Sequence, residues 1–137
     1  MTAKLFILIA SSIFLILGTI HLIYTFFTNK FLARDVEINE KMKSTSPILT
    51  KETTVWKAWI GFNASHSAGA IFIGLINIIL VCQHFEVYQN SFNILLLDIC
   101  TGIFYLFLAK KYWFKIPLVG ILIATSCFII SMILFII

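Results

Sequence analysis

LFILIASSIFLILGTIHLIYTFF, residues 5–27, decides the architecture. Over about 23 positions it contains no Lys, Arg, Asp or Glu, and one histidine, His21. At 1.5 Å per residue such a run forms a helix that crosses a hydrocarbon layer about 30 Å thick. A secretory leader is present only in outline. Lys4 precedes the run and Ala10-Ser11-Ser12 are small, but the apolar stretch continues past them to Phe27, which predicts an uncleaved helix.

Three further stretches have the same character: residues 58–82, 92–109 and 116–137. Pro117 falls in the first turn of the last, where a missing N–H costs nothing. In lipid the backbone must satisfy its own hydrogen bonds, so each stretch is expected to be a helix. The composition agrees. Of 137 residues, 61% are apolar and 12% charged, against about 45–50% and about 25% in soluble domains. The expected fold is all-α, an integral membrane four-helix bundle in a single domain over residues 1–137, with the lipid bilayer as its partner.

Charge sets the expected orientation. Residues 28–55 form the one long polar loop, with Lys30, Arg34, Lys41, Lys43 and Lys51 against Asp35, Glu37, Glu40 and Glu52. Asp35 is placed to cap a short surface helix carrying Val36, Ile38 and Met42, which Ser44-Thr45-Ser46-Pro47 would end. Loop 83–90 has no Lys or Arg, whereas loop 110–115 is basic and aromatic. With Lys57, the first and third loops carry nine Lys/Arg, and the other side only Lys4. Positive-inside logic puts these loops in the cytoplasm and both termini outside. Trp56, Trp59, Tyr112 and Trp113 would then belt the cytoplasmic interface. So uneven a count disfavours a dual-topology exporter. The net charge of +4 comes from dispersed loop lysines, without the aromatic-interleaved patch of a nucleic-acid binder.

The cysteines, Cys82, Cys100 and Cys127, form no CxxC pair, which counts against vicinal-thiol redox chemistry. Cys100 and Cys127 are expected to be small core residues and Cys82 to lie near a membrane surface. His84 is expected to be exposed.

Polar side chains within the spans carry the functional question. His21 lies on the order of 9 Å from the cytoplasmic end of its helix and His66 on the order of 12 Å from its own. Asp98 lies on the order of 16 Å deep and Thr101 on the order of 12 Å, with Thr125 and Ser126 at a similar level. Helical spacing puts Asn63, His66, Ser67, Ala70, Gly74 and Asn77 on one face, and Asp98, Thr101 and Tyr105 on another. Gly18, His21 and Thr25 share a third. Gly61, Ser65 and Gly69 make a small-xxx-small stripe suited to close helix packing. The candidate ligand or proton site is therefore His21, Asn63, His66, Asp98 and Thr101, in one layer in or near the cytoplasmic half.

This layer leaves several chemistries open. His21 and His66 are the minimum for bis-imidazole haem, and with Asp98 they offer a zinc or iron site. Asp98 with His66 offers acid–base chemistry on a lipophilic substrate, or a titrating group for transport by a homo-oligomer. The histidines also serve simply as interhelical hydrogen-bonding groups, in a structural or partner-binding subunit. The leading expectation is a membrane protein that binds a small or lipophilic ligand in this layer. A membrane enzyme or redox component using His21, His66 and Asp98 is the alternative.

The motifs GTIHL (residues 18–22) and WKAWIGFNASHSAG (residues 56–69) resemble an uncharacterised family of small four-helix bacterial integral membrane proteins. The resemblance would span most of the chain. It implies a four-helix fold and an inner-membrane location, and no catalytic role.

Overall fold

A computed structural model describes residues 2–137. Among them the chain is all-α: α1 (Thr2–Phe27), α2 (Val36–Ser44), α3 (Val55–Gln83), α4 (Glu86–Asn90), α5 (Asn93–Tyr112) and α6 (Lys115–Ile136). Helices α1, α3, α5 and α6 are long and apolar enough to cross a membrane. Their outward side chains include Phe62, Phe72, Leu97 and Ile116, all well exposed, as expected of helices solvated by lipid.

The local sequence explains the boundaries. Helix α2 begins where expected: the Asp35 carboxylate accepts from Glu37 N–H, and the helix ends before Thr45. Helix α3 starts at Val55, ahead of the expected 58, because Thr54 Oγ1 accepts from Lys57 N–H at 3.2 Å and caps the first turn. Helix α5 runs to Tyr112, with Lys110 and Lys111 in its last turn, where cations complement the carbonyl end of a helix. Helix α4 falls inside the second loop and has no apolar periodicity in the sequence to announce it.

The chain packs as two compact units, Met1–Leu17 with Ala70–Ile137, and Gly18–Gly69. In the first unit, Ile7, Ala10 and Phe14 of α1 share a core with Ala70 and Val81 of α3, Leu95 and Ile99 of α5, and Ile121, Ala124 and Phe128 of α6. Lipid tails are as apolar as this core, so close packing and interhelical hydrogen bonds have to hold it. Both are present. At Gly74, an added Cβ would lie 2.7 Å from Leu15 N and Ser11 O, so the α3 and α1 backbones meet there. At Gly102 a Cβ would meet Thr125 Oγ1 at 2.5 Å. Ser131 Oγ donates to Ala3 O at 3.1 Å, joining α6 to α1.

Two expectations are corrected. Cys100 is exposed on α5; only Cys127 is buried. The Gly61/Ser65/Gly69 stripe is not a packing seam within the chain. Gly61 and Ser65 are exposed, and a Cβ on Gly61 would meet nothing within 4 Å.

The second unit contains the end of α1, the polar loop with α2, and the start of α3. Asn39 organises its loop. Its Oδ1 accepts from Ala33 N at 2.8 Å, and its Nδ2 donates to Ala33 O at 2.9 Å and Asp35 O at 3.1 Å. Val55 N donates to Thr45 O at 2.8 Å and closes the second half of the loop. An Asn39→Ala substitution removes three bonds from one buried side chain. It is expected to speed amide exchange across residues 30–45 by more than about tenfold, from about 1.5 kcal/mol or more of lost local stability. Hydrogen-exchange mass spectrometry reads this directly.

Candidate functional site

The second unit brings three of the expected site residues together. Asn63 lies on the inward face of α3 and donates from Nδ2 to Trp59 O at 2.8 Å. That bond fixes the amide, so its Oδ1 is the atom that faces His21 Nε2, 3.0 Å away. An amide oxygen can only accept, so His21 Nε2 is the donor, and in the neutral ring Nδ1 is then the acceptor. Thr25 Oγ1 donates to His21 O at 2.8 Å and Ser67 Oγ to Asn63 O at 2.9 Å, so both hydroxyls of this region serve the backbone. The His66 ring stands edge-on to His21, with centroids 5.5 Å apart.

A residue the sequence did not single out completes the group. Phe31 packs its ring against His21 at 4.7 Å and against Trp59 at 6.1 Å. Trp59 Nε1 donates to Phe31 O at 3.3 Å and ties the same residue down through its backbone. Phe31 and Trp59 also line a shallow, open surface pocket of about 420 Å³, with Lys30, Leu32, Ala33 and Met42. Five of these are apolar and one is a cation. Phe31 and Lys30 sit in an irregular loop, where no periodicity marks them. The signal available was the cluster of large apolar residues, Phe31 and Leu32, inside an otherwise polar segment.

Asp98 belongs to a second cluster, in the first unit. It is buried on α5, and its Oδ1 accepts from Asn77 Nδ2 at 2.9 Å. Asn77, also buried, sends the same nitrogen to Ile73 O at 2.9 Å and accepts at Oδ1 from the Tyr88 hydroxyl. Burial raises the Tyr88 phenol above its ordinary value of 10.0, so its O–H remains a donor at neutral pH. Thr101 is half-buried one turn along α5 from Asp98. The predicted site residues thus form two assemblies with different partners: His21, Asn63 and His66 in one, Asp98 in the other.

Metal ligation gains little from this geometry. Among the described residues no group of three His, Cys, Asp or Glu converges as a metal site. Zinc sites usually draw three or four ligands from that set.

No protein-family model, curated protein or solved structure matches the chain. The likeness carried by GTIHL and WKAWIGFNASHSAG therefore stands on those motifs alone.

Proposed function

We propose that this chain is a membrane protein that binds a small amphiphile with an acidic head at the pocket lined by Lys30, Phe31, Leu32, Met42 and Trp59. The observation that carries this reading is the Phe31 wall. One ring lines an apolar pocket with a cation at its rim and rests on the His21–Asn63–His66 group behind it. Binding sites are typically apolar concavities with a few fixed polar groups, and this one has that composition. The amphiphile's chain would lie against Leu32, Met42 and Trp59, and its acidic head at Lys30. The histidine group would act as a positioning layer that holds Phe31.

The charge asymmetry supports placing this pocket at the cytoplasmic face, with both termini outside, and the motif resemblance suggests a bacterial inner membrane. A ligand could then enter from the inner leaflet. The alternative of a catalytic or redox set of His21, His66 and Asp98 finds less support, because the hydrogen bond to the Asp98 carboxyl comes from Asn77.

The test uses fluorescence. Of the three tryptophans, Trp56 and Trp113 are replaced by Phe, which leaves Trp59 as the single emitter. A nitroxide-labelled fatty acid is titrated into the protein in mild detergent. The expected result is saturable quenching, weakened at least about tenfold by Lys30→Gln or Phe31→Ala, a loss of about 1.4 kcal/mol or more. His66→Ala is expected to weaken it by less, through Phe31. Quenching that rises linearly with the probe and ignores these substitutions would sink the proposal.

A further inference from the structure

The Asp98 carboxyl is 6% exposed, lies within the α5 span and is only half satisfied. Oδ1 has its bond from Asn77, but Oδ2 is buried with no hydrogen-bond partner among the described residues. The arrangement around it is directional. Tyr88 can only give its proton to Asn77 Oδ1, which leaves the Asn77 nitrogen as the donor, shared between Ile73 O and Asp98 Oδ1. The carboxyl is therefore aimed by one amide, and its second oxygen is left over.

An ionised carboxylate in this position would hold a full charge away from water with a single neutral hydrogen bond, at a cost of several kcal/mol. The inward-facing titratable side chains of this unit are Tyr88 from α4, Tyr105 from α5 and Cys127 from α6, none of them cationic. From α1 and α3 the inward polar groups are Ser11 and Asn77. Lys4 is occupied over the Phe85 ring at 5.4 Å, and Lys110, Lys111 and Lys115 are exposed.

We propose that Asp98 is a proton-binding site within the membrane-spanning helices, with its proton on Oδ2, while Asn77, held by Tyr88, orients the carboxyl through Oδ1. The ligand is H⁺: protonation forms the Oδ2–H bond, and release returns the proton to water and leaves a carboxylate. This goes beyond the amphiphile pocket and does not depend on it.

The chain has two aspartates, Asp35 and Asp98. In an Asp35→Asn background, where asparagine remains a good helix cap, a ¹³C-carboxyl aspartate label reports on Asp98 alone. Infrared spectra of the full chain in lipid nanodiscs are expected to show a labelled carboxylic-acid C=O band at neutral pH. The band should give way to carboxylate bands as the pH is raised, and Asp98→Asn should abolish it without unfolding the protein. Labelled carboxylate bands at neutral pH would overturn the proposal. So would a band that disappears when choline chloride is replaced by sodium chloride, since that would make the group a cation ligand. Both readings use the unsubstituted Asp98, and the Asp35→Asn background alters only an exposed residue at the start of α2.

Discussion

Gly74→Ala is expected to destabilise the folded chain by about 2–3 kcal/mol, within the range for forced overpacking. One methyl group would enter a space where Ser11 O and Leu15 N already stand 2.7 Å from the Cβ position. Both are backbone atoms of α1, so no side-chain rotation can relieve the contact. The helices have to separate, and in lipid that separation forfeits the close packing that holds them together. Gly61→Ala is the matched control. It sits on the same helix with nothing within 4 Å of its Cβ. Alanine is the better helix former, so stability should hold or rise by up to about 1 kcal/mol. Gly102→Ala should fall between the two, because its obstacle is the Thr125 side chain. Unfolding by denaturing detergent, followed by circular dichroism, ranks all three. Equal losses at Gly74 and Gly61 would show that the α1–α3 backbone contact carries no weight.

The second large effect is expected from Asn77→Leu, at about 2–4 kcal/mol. Isolated interhelical hydrogen bonds in membranes average only about 0.6 kcal/mol. Asn77 differs because its removal leaves two buried groups without their partner, the Tyr88 hydroxyl and the Asp98 carboxyl, and each orphan costs about 1–3 kcal/mol. The double variant Asn77→Leu with Tyr88→Phe removes one orphan and should recover about 1 kcal/mol relative to Asn77→Leu alone. A double-mutant cycle measures this coupling. Strict additivity of the two single changes would mean that the Tyr88–Asn77 bond contributes nothing.

Much of the architecture could be read from residue order because helices in lipid obey length and periodicity. The uncharged run 5–27 required a span. The 3.6-residue repeat placed Asn63, His66, Ser67, Ala70, Gly74 and Asn77 on one face; the last four are buried and the first two half-buried. Asp35 announced α2 through its cap. What escaped the sequence was the choice of partner. Rise per residue gives depth along a helix, so His21, His66 and Asp98 read as one layer, but depth carries no information on which side chains meet. Asp98 is instead engaged through Asn77 with Tyr88, on a five-residue helix that loop composition does not reveal. Phe31 escaped for the same reason, as a loop residue whose position depends on Trp59 and His21. Gly61 and Ser65 show the converse case: small-residue spacing looks the same on a packing seam and on an open face.

The first unit is discontinuous in sequence: its core takes Ile7 and Phe14 from one end of the chain and Ala124 and Phe128 from the other. The bond from Ser131 to Ala3 spans 128 residues. During synthesis, the α6-facing contacts of α1, at Ala3 and Phe14, therefore stay unmade until α6 has been inserted. The second unit, contiguous from Gly18 to Gly69, can close much earlier. Biogenesis should run in that order, with late, sequence-distant contacts setting the pace. A nascent chain arrested before α6 would already hold the His21–Asn63 pair and the α1–α3 contact at Gly74, while Ala3 and Phe14 lacked their α6 partners.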